Sequence, residues 1–436
     1  KRDDDKSLQH NEGGNAVPFI ERFPMKALPQ SDEQFSGTPL HAETDRIHMN
    51  GTDTQNSTMP RNDSGHIPLL SNEEALALTV QIDDVETALI PMLEAQGCAI
   101  VAGIANEEEC RRLESLFAED LADVIDDAAL SQAKSAVQNV AKKVAEDAKA
   151  WPEASMKILG NIDRCQLRGL PHGRFAWECR LLPNVRRCYE VVHRREDLVS
   201  SCDNPFFSPS TQREQHTNRS WPHVDQNIHD SRFFDDEGTP AGKWDVYQGI
   251  LYVWSSQGSC ASTTVVLPGS HRDAYDKIMT DSYMKKRGSK GTHFTQLSTV
   301  SKCVSDILQE QWRVGARRVP VPRGGLFLWS SRTLHQGWNG GPRLAQPVCW
   351  EPRPRRHDLA WDCKLRLAAL GLPSTHWASL GIPHTLVKSE PCKVTEASCS
   401  GDQIRLPARA SIHPISLRPE IDVAEMWQKL AALDWQ

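Results

Sequence analysis

The sequence has no stretch approaching the roughly 20 consecutive apolar residues that a membrane-spanning helix needs, so no such helix is expected. It also lacks a basic excess: 50 Lys and Arg stand against 57 Asp and Glu, a net charge of −7. That balance argues against bulk binding to a phosphate backbone, and a small-molecule partner is expected instead of nucleic acid or membrane. There is no internal repeat and no CxxC pair, and the 12 cysteines are scattered without a regular framework. They read as reduced thiols, which points to a cytoplasmic or nuclear compartment, where disulfides are rare. Asn-x-Ser/Thr triplets at Asn56, Asn62 and Asn218 pull weakly the other way. Because residue 1 is Lys and not Met, the start of the chain says nothing about a leader. Oligomeric state is not legible.

What is present divides the chain into three parts. Residues 1–70 are rich in Asp, Asn, Gly, Ser, Thr and Pro with no sustained apolar period, and are expected to form a disordered polar arm. Ser71 followed by Asn72, Glu73 and Glu74 predicts a capping box that opens the folded part. Val85, Leu89, Met92 and Leu93 predict a helix ending at Gly97, and Cys98–Val101 has strand character. Asn106 starts another helix, and the Ala-rich stretch at 130–150 reads as a further one, so 71–165 is mostly helical. From 170 to 352 the character changes to short apolar runs bounded by Gly, Pro, Asn or Ser: 175–182, 246–254, 263–267, 319–321, 326–329 and 347–350. These predict strands of a β-sandwich or barrel. Residues 272–316 read as an insertion or lid within it, and 356–436 as a C-terminal extension with helices at 361–370 and 424–433.

The segment Trp221, Pro222, His223, Val224, Asp225, Gln226 carries the most chemical information. Residues two apart on a strand face the same side, so His223 and Asp225 can offer an imidazole and a carboxylate to one cation. A third ligand from a distant strand would complete two histidines and one carboxylate on one face of the ion, the arrangement diagnostic of non-haem Fe(II) oxygenases. His335 is the best candidate, following the apolar run Gly324–Trp329. Arg343, eight residues on, begins another strand and could pair two-pronged with the distal carboxylate of a dicarboxylic keto acid. Gln248, a lone polar residue on an apolar strand, either bonds that keto acid or satisfies a core neighbour. Trp221, Trp254, Trp329 and Trp338 read mainly as packing groups, with Trp338 as an alternative pocket wall. His376, Trp377 and His384 have no zinc-type spacing and read as structural.

Taken in order, WPHVDQ at 221–226, YQGILYVW at 247–254, VVLPGSH at 265–271, GGLFLWSSRTLH at 324–335 and the strand from Arg343 to Pro352 resemble the phytanoyl-CoA dioxygenase-like family of iron and 2-oxoglutarate oxygenases. The run Gln96–Val101 before a Glu-rich helix is similar to that family's opening, so the resemblance spans about residues 80–355. It implies an α+β fold with a double-stranded β-helix (jelly-roll, cupin-like) core and packed helices, mostly N-terminal. It implies His223, Asp225 and His335 as both iron ligands and catalytic centre, and Arg343 as the 2-oxoglutarate anchor. The interval from His335 to Arg343 is short for the family, so Arg332 stands as the alternative anchor. His271, in the PGSH turn, is not implied as a ligand. The cofactors implied are Fe(II), 2-oxoglutarate as co-substrate and O2, with ascorbate as a candidate reductant. With Asp225 as a carboxylate ligand no position is left for halide, so hydroxylation of a small molecule or acyl group is the leading expectation. An oxygenase of a protein side chain or nucleobase, and a non-catalytic jelly-roll binding module, are the alternatives.

Overall fold

The computed structural model of the chain describes residues 67–124, 170–208, 218–289, 293–356, 364 and 373–380. The arm up to residue 66, the helix expected at 130–150, His384, the helix expected at 424–433, and all but residue 364 of the one expected at 361–370 lie outside them.

Ser71 opens the first helix as its sequence implies. Its hydroxyl accepts from the Glu74 amide at 3.1 Å, and the Glu74 carboxylate accepts from the Ser71 amide at 2.7 Å, which fixes α1 (Asn72–Ala77). After β1 (Thr79–Gln81), helix α2 (Val85–Gln96) buries Val85, Leu89 and Leu93 and stops at Gly97. Gly97 has φ of 71°, in the left-handed region, and a side chain there would collide with His271 and Thr333, so glycine is required on both counts. Strand β2 (Cys98–Ala102) follows, and Asn106 accepts from the Glu109 amide at 2.9 Å to start α3 (Glu107–Val124).

The run at 175–182, expected as a strand, is a helix: α4 (Arg174–Leu181), continued after Pro183 by α5 (Pro183–His193). A short apolar run does not separate a buried helix from a strand. Here the deciding group is remote, because the buried Asp120 carboxylate of α3 accepts from the Phe175 amide at 2.7 Å and satisfies an otherwise orphaned donor at the start of α4.

The remaining elements are β3 (Leu198–Ser200), β4 (Phe206–Ser208), β5 (His223–Val224), β6 (Tyr247–Tyr252) and β7 (Thr263–Val266). Then come α6 (Asp273–Met279), α7 (Ser282–Ser289), β8 (Thr295–Gln296), α8 (Lys302–Gly315) and β9 (Arg317–Arg318). Strands β10 (Gly325–Ser330), β11 (His335–Trp338), β12 (Arg343–Pro347) and β13 (Trp350–Pro352) close the order. A six-stranded sheet runs β1-β2-β10-β6-β12-β4 and a five-stranded sheet runs β8-β5-β11-β7-β9, antiparallel throughout except for β1 beside β2. The run expected as one strand at 347–350 is divided, since β13 leaves the large sheet to pair with β3. Residues 319–321, also expected as a strand, lie just past β9, where the Val319 amide still donates to Thr264 O at 2.9 Å.

Alternation along the strands sorts the side chains. Ile100, Ile250, Tyr252, Phe327, Trp329 and Ala345 of the larger sheet meet Val266 of the smaller in one interior cluster. The opposite faces of the same strands, through Val101, Leu251, Leu326, Leu328 and Leu344, pack on α2 to α5. Fully burying such a side chain contributes about 1.5–3 kcal/mol, so these clusters fix which face of each strand looks inward.

Two expected boundaries move. Residues 272–316, read as an insertion or lid, are built into the fold: α6 to α8 cover the outer face of the five-stranded sheet against Val224, Val265 and Trp338, and β8 pairs with β5. Among the described residues five of the eight α-helices still precede residue 194, and α6 to α8 form a second helical layer on the other sheet. The end of the arm is also ordered into the sheet, because the Arg318 amide donates to Pro68 O at 2.8 Å and the Leu70 amide donates to Arg318 O at 2.9 Å.

Candidate metal centre

Strands β5 and β11 are neighbours, and His223 and His335 are direct partners across them, with ring centroids 4.2 Å apart. Partners opposite each other on antiparallel strands project to the same side. Asp225 follows immediately after β5, held by its amide to Ser331 O at 2.9 Å. Its Oδ2 lies 3.6 Å from His223 Nε2 and 3.2 Å from His335 Nε2, and the three ligating atoms all fall within 4.8 Å of one another. Two ligands bound at about 2.1 Å and at right angles on one ion lie about 3 Å apart, so this set fits a first-row metal on one face with the opposite face open.

The surroundings select the right atoms. His223 Nδ1 is 3.2 Å from Trp221 O and His335 Nδ1 is 2.9 Å from Thr333 O, which places the ring proton on Nδ1 and leaves both Nε2 lone pairs for a cation. Burial would raise the Asp225 carboxyl, but the charges and hydrogen bonds of His223 and His335 outweigh it and hold it well below the usual carboxylate range. Burial, and after it the neighbouring His335, pushes the His223 imidazole down.

Gln248 has a protein partner. It projects from β6 and its Nε2 donates to Asp225 Oδ2 at 2.9 Å, the oxygen that faces both histidines. Losing a partner that orients a ligand typically costs roughly 10–100-fold in metal affinity, and Gln248→Ala is expected to do so with the fold intact. Titration with Fe(II) under anaerobic conditions measures it. Unchanged iron affinity with weakened 2-oxoglutarate binding would instead make Gln248 a keto-acid contact.

Arg343 enters the same interior from β12. It is 3% exposed, its Nη2 donates to the Tyr252 hydroxyl at 3.1 Å, and its guanidinium lies 4.0 Å from the Phe206 ring centroid. Its Nε has no hydrogen-bond partner, and no carboxylate among the described residues pairs with it. A buried guanidinium without an anion is unfavourable. Tyr252 also meets Thr264 of the facing sheet, hydroxyl to hydroxyl at 3.1 Å. Gln248 and Tyr252 lie on the same face of β6, roughly 13 Å apart along the strand, so the triad and Arg343 look into one inter-sheet space.

Arg332 is engaged elsewhere, donating to Trp244 O at 3.0 Å and lying over Tyr275. His271 contacts Glu94 O at 3.1 Å by α2 and stands outside the triad. Trp338 packs against α6 to α8 on the far side of its sheet, so it is a core group and no pocket wall. At the rim, Trp221 stacks on His223 at 4.7 Å and Phe294 approaches it at 4.8 Å, both more than a third exposed. His376 is held beside Trp377, ring centroids 5.5 Å apart, and burial pushes its imidazole pKa down to about 4. No local pattern marks it, because its position depends on how the chain returns after residue 356.

No family model matches the chain, and no curated protein matches it in sequence. Solved structures that resemble it include EctD from S. alaskensis with 2-oxoglutarate and 5-hydroxyectoine, 12% identical, covering 67% of this chain and 85% of that one at a TM-score of 0.37. GlcNAc Inducible Gene 2, GIG2 (DUF1479), from Candida albicans is 10% identical and covers 83% and 81% at 0.45. The epimerase SnoN in complex with Fe3+, alpha ketoglutarate and nogalamycin RO is 11% identical and covers 62% and 85% at 0.32.

Proposed function

We propose that the chain is an Fe(II)- and 2-oxoglutarate-dependent oxygenase of the phytanoyl-CoA dioxygenase-like kind, its two sheets forming a double-stranded β-helix, that hydroxylates a small molecule or acyl group. The observation that carries this reading is the pairing of a His223, Asp225, His335 triad with an anion-seeking Arg343 in one interior. Iron and 2-oxoglutarate, when bound, supply the activation of dioxygen for insertion into a C–H bond. His223, Asp225 and His335 would hold the metal, with Gln248 fixing the Asp225 carboxylate. Arg343 would take the distal carboxylate of the keto acid, with the Tyr252 and Thr264 hydroxyls beside it. The apolar interior cluster excludes water from that space. Trp221 and Phe294 offer an aromatic entrance beside His223 for the substrate.

The test is a succinate-release screen of the iron-loaded protein against pooled metabolites with 2-oxoglutarate and ascorbate. One or more pools are expected to stimulate succinate formation above the substrate-free rate. Failure to form succinate with any pool, together with failure to bind 2-oxoglutarate, would favour a binding module instead.

A further inference from the structure

Gln336 sits on β11 one residue past His335 and is 1% exposed. Its cross-strand partner Val265 and its same-face neighbour Trp338 both belong to the apolar cluster under α6 to α8, so packing alone would favour an apolar side chain here. A buried amide needs hydrogen-bond partners, and Gln336 finds them on the segment that leads into β5. Its Oε1 accepts from the Trp221 amide at 2.8 Å and its Nε2 donates to Arg219 O at 3.3 Å. Strand β5 begins at His223, preceded by Pro222, which has no amide hydrogen to carry the pairing further. The Gln336 side chain takes over where the backbone pairing of β5 with β11 ends.

Trp221, held in this way, meets His223 twice. Its carbonyl accepts from His223 Nδ1 at 3.2 Å, and its ring stacks on the imidazole with centroids 4.7 Å apart and planes 11° from parallel. A carbonyl can only accept, so this contact puts the ring proton on Nδ1 and leaves Nε2 facing Asp225 Oδ2, 3.6 Å away. Trp221 itself is 38% exposed, so burial does little to hold it, and its backbone amide is the atom that Gln336 binds. We propose that Gln336 is a positioning residue for the metal site: by fixing Trp221 it sets the tautomer and direction of the His223 imidazole. The strand that supplies His335 as one ligand thus also supports the other histidine. This proposal rests on the metal-binding reading of the triad.

The experiment compares the full-length parent with Gln336→Met and Gln336→Glu, each carrying histidine labelled with heavy nitrogen. Long-range proton–nitrogen spectra of the metal-free proteins read the His223 tautomer, its signals identified by their loss in His223→Gln. The parent is expected to hold Nδ1–H alone, and Gln336→Met, which keeps the length but neither polar atom, to show both tautomers. Gln336→Glu keeps an oxygen for the Trp221 amide and is expected to restore the parent pattern. Co(II) affinity, titrated through its visible bands, is expected to fall about ten-fold in Gln336→Met, the lower end of the loss for partners that orient a ligand, and to recover in Gln336→Glu. Thermal unfolding of the same samples reports the fold. A parent-like tautomer in Gln336→Met, no recovery in Gln336→Glu, or a Met variant that loses its folded state would each overturn the proposal, the last by making Gln336 a structural group. A parent that binds no Co(II) counts against the metal reading, while the tautomer series still judges Gln336.

Discussion

Replacing Asp225 with Ala is expected to strip the protein of iron while leaving the fold in place. Asp225 supplies the only negative charge in the triad, and its Oδ2 is the atom that faces both imidazoles, at 3.6 and 3.2 Å. Partners that merely orient a ligand are worth roughly 10–100-fold in metal affinity, so loss of the carboxylate itself is expected to cost at least about 100-fold. Succinate formation should become undetectable. The fold has reason to survive, because the backbone amide of residue 225 still bonds Ser331 O and the His223 to His335 strand pairing does not use the carboxylate. Iron per chain by elemental analysis and the far-ultraviolet dichroism of the same sample check both halves. A variant that retains a full equivalent of iron would remove Asp225 from the ligand set.

The second large effect is expected at Arg343. Truncating one member of a buried charge pair typically costs ~2–5 kcal/mol, or at least about 30-fold in affinity, so Arg343→Ala should raise the 2-oxoglutarate requirement by that factor or more. Iron binding should be unaffected, since Arg343 contacts Tyr252 and Phe206 and none of the triad. Arg343→Lys keeps the charge but not the planar fork, and should fall between parent and Ala. Arg332→Ala is the informative control. Its guanidinium is bound to backbone oxygens of Lys243 and Trp244, so its loss should leave the keto-acid dependence at the parent value. If Arg332→Ala showed the defect and Arg343→Ala did not, the anchor would be Arg332.

The parts of this architecture that were legible in the sequence are those written in neighbouring residues. Ser71 with Glu74, Asn106 at the start of α3, and Gly97 at the end of α2 each satisfy a local backbone need and were readable as such. The alternation in HxD was readable because the strand period is short, and it places His223 and Asp225 together without knowledge of the rest. The reading failed where the deciding partner is distant. Helix α4 is capped by Asp120, 55 positions from Phe175. Strand β8 exists because residues 295–296 find the edge of β5, and nothing in two residues announces that pairing. Gln248 was ambiguous for the same reason, since only the folded chain shows that its amide meets Asp225.

The central claim is that metal and keto acid are held together, one by the triad and the other by Arg343, in the space between the two sheets. Anaerobic calorimetry of the metal-free chain tests it most directly. Fe(II) is expected to bind one equivalent, and 2-oxoglutarate to bind one equivalent far more tightly once the metal is present. Binding of 2-oxoglutarate that is absent, or equally strong with and without iron, would contradict the account.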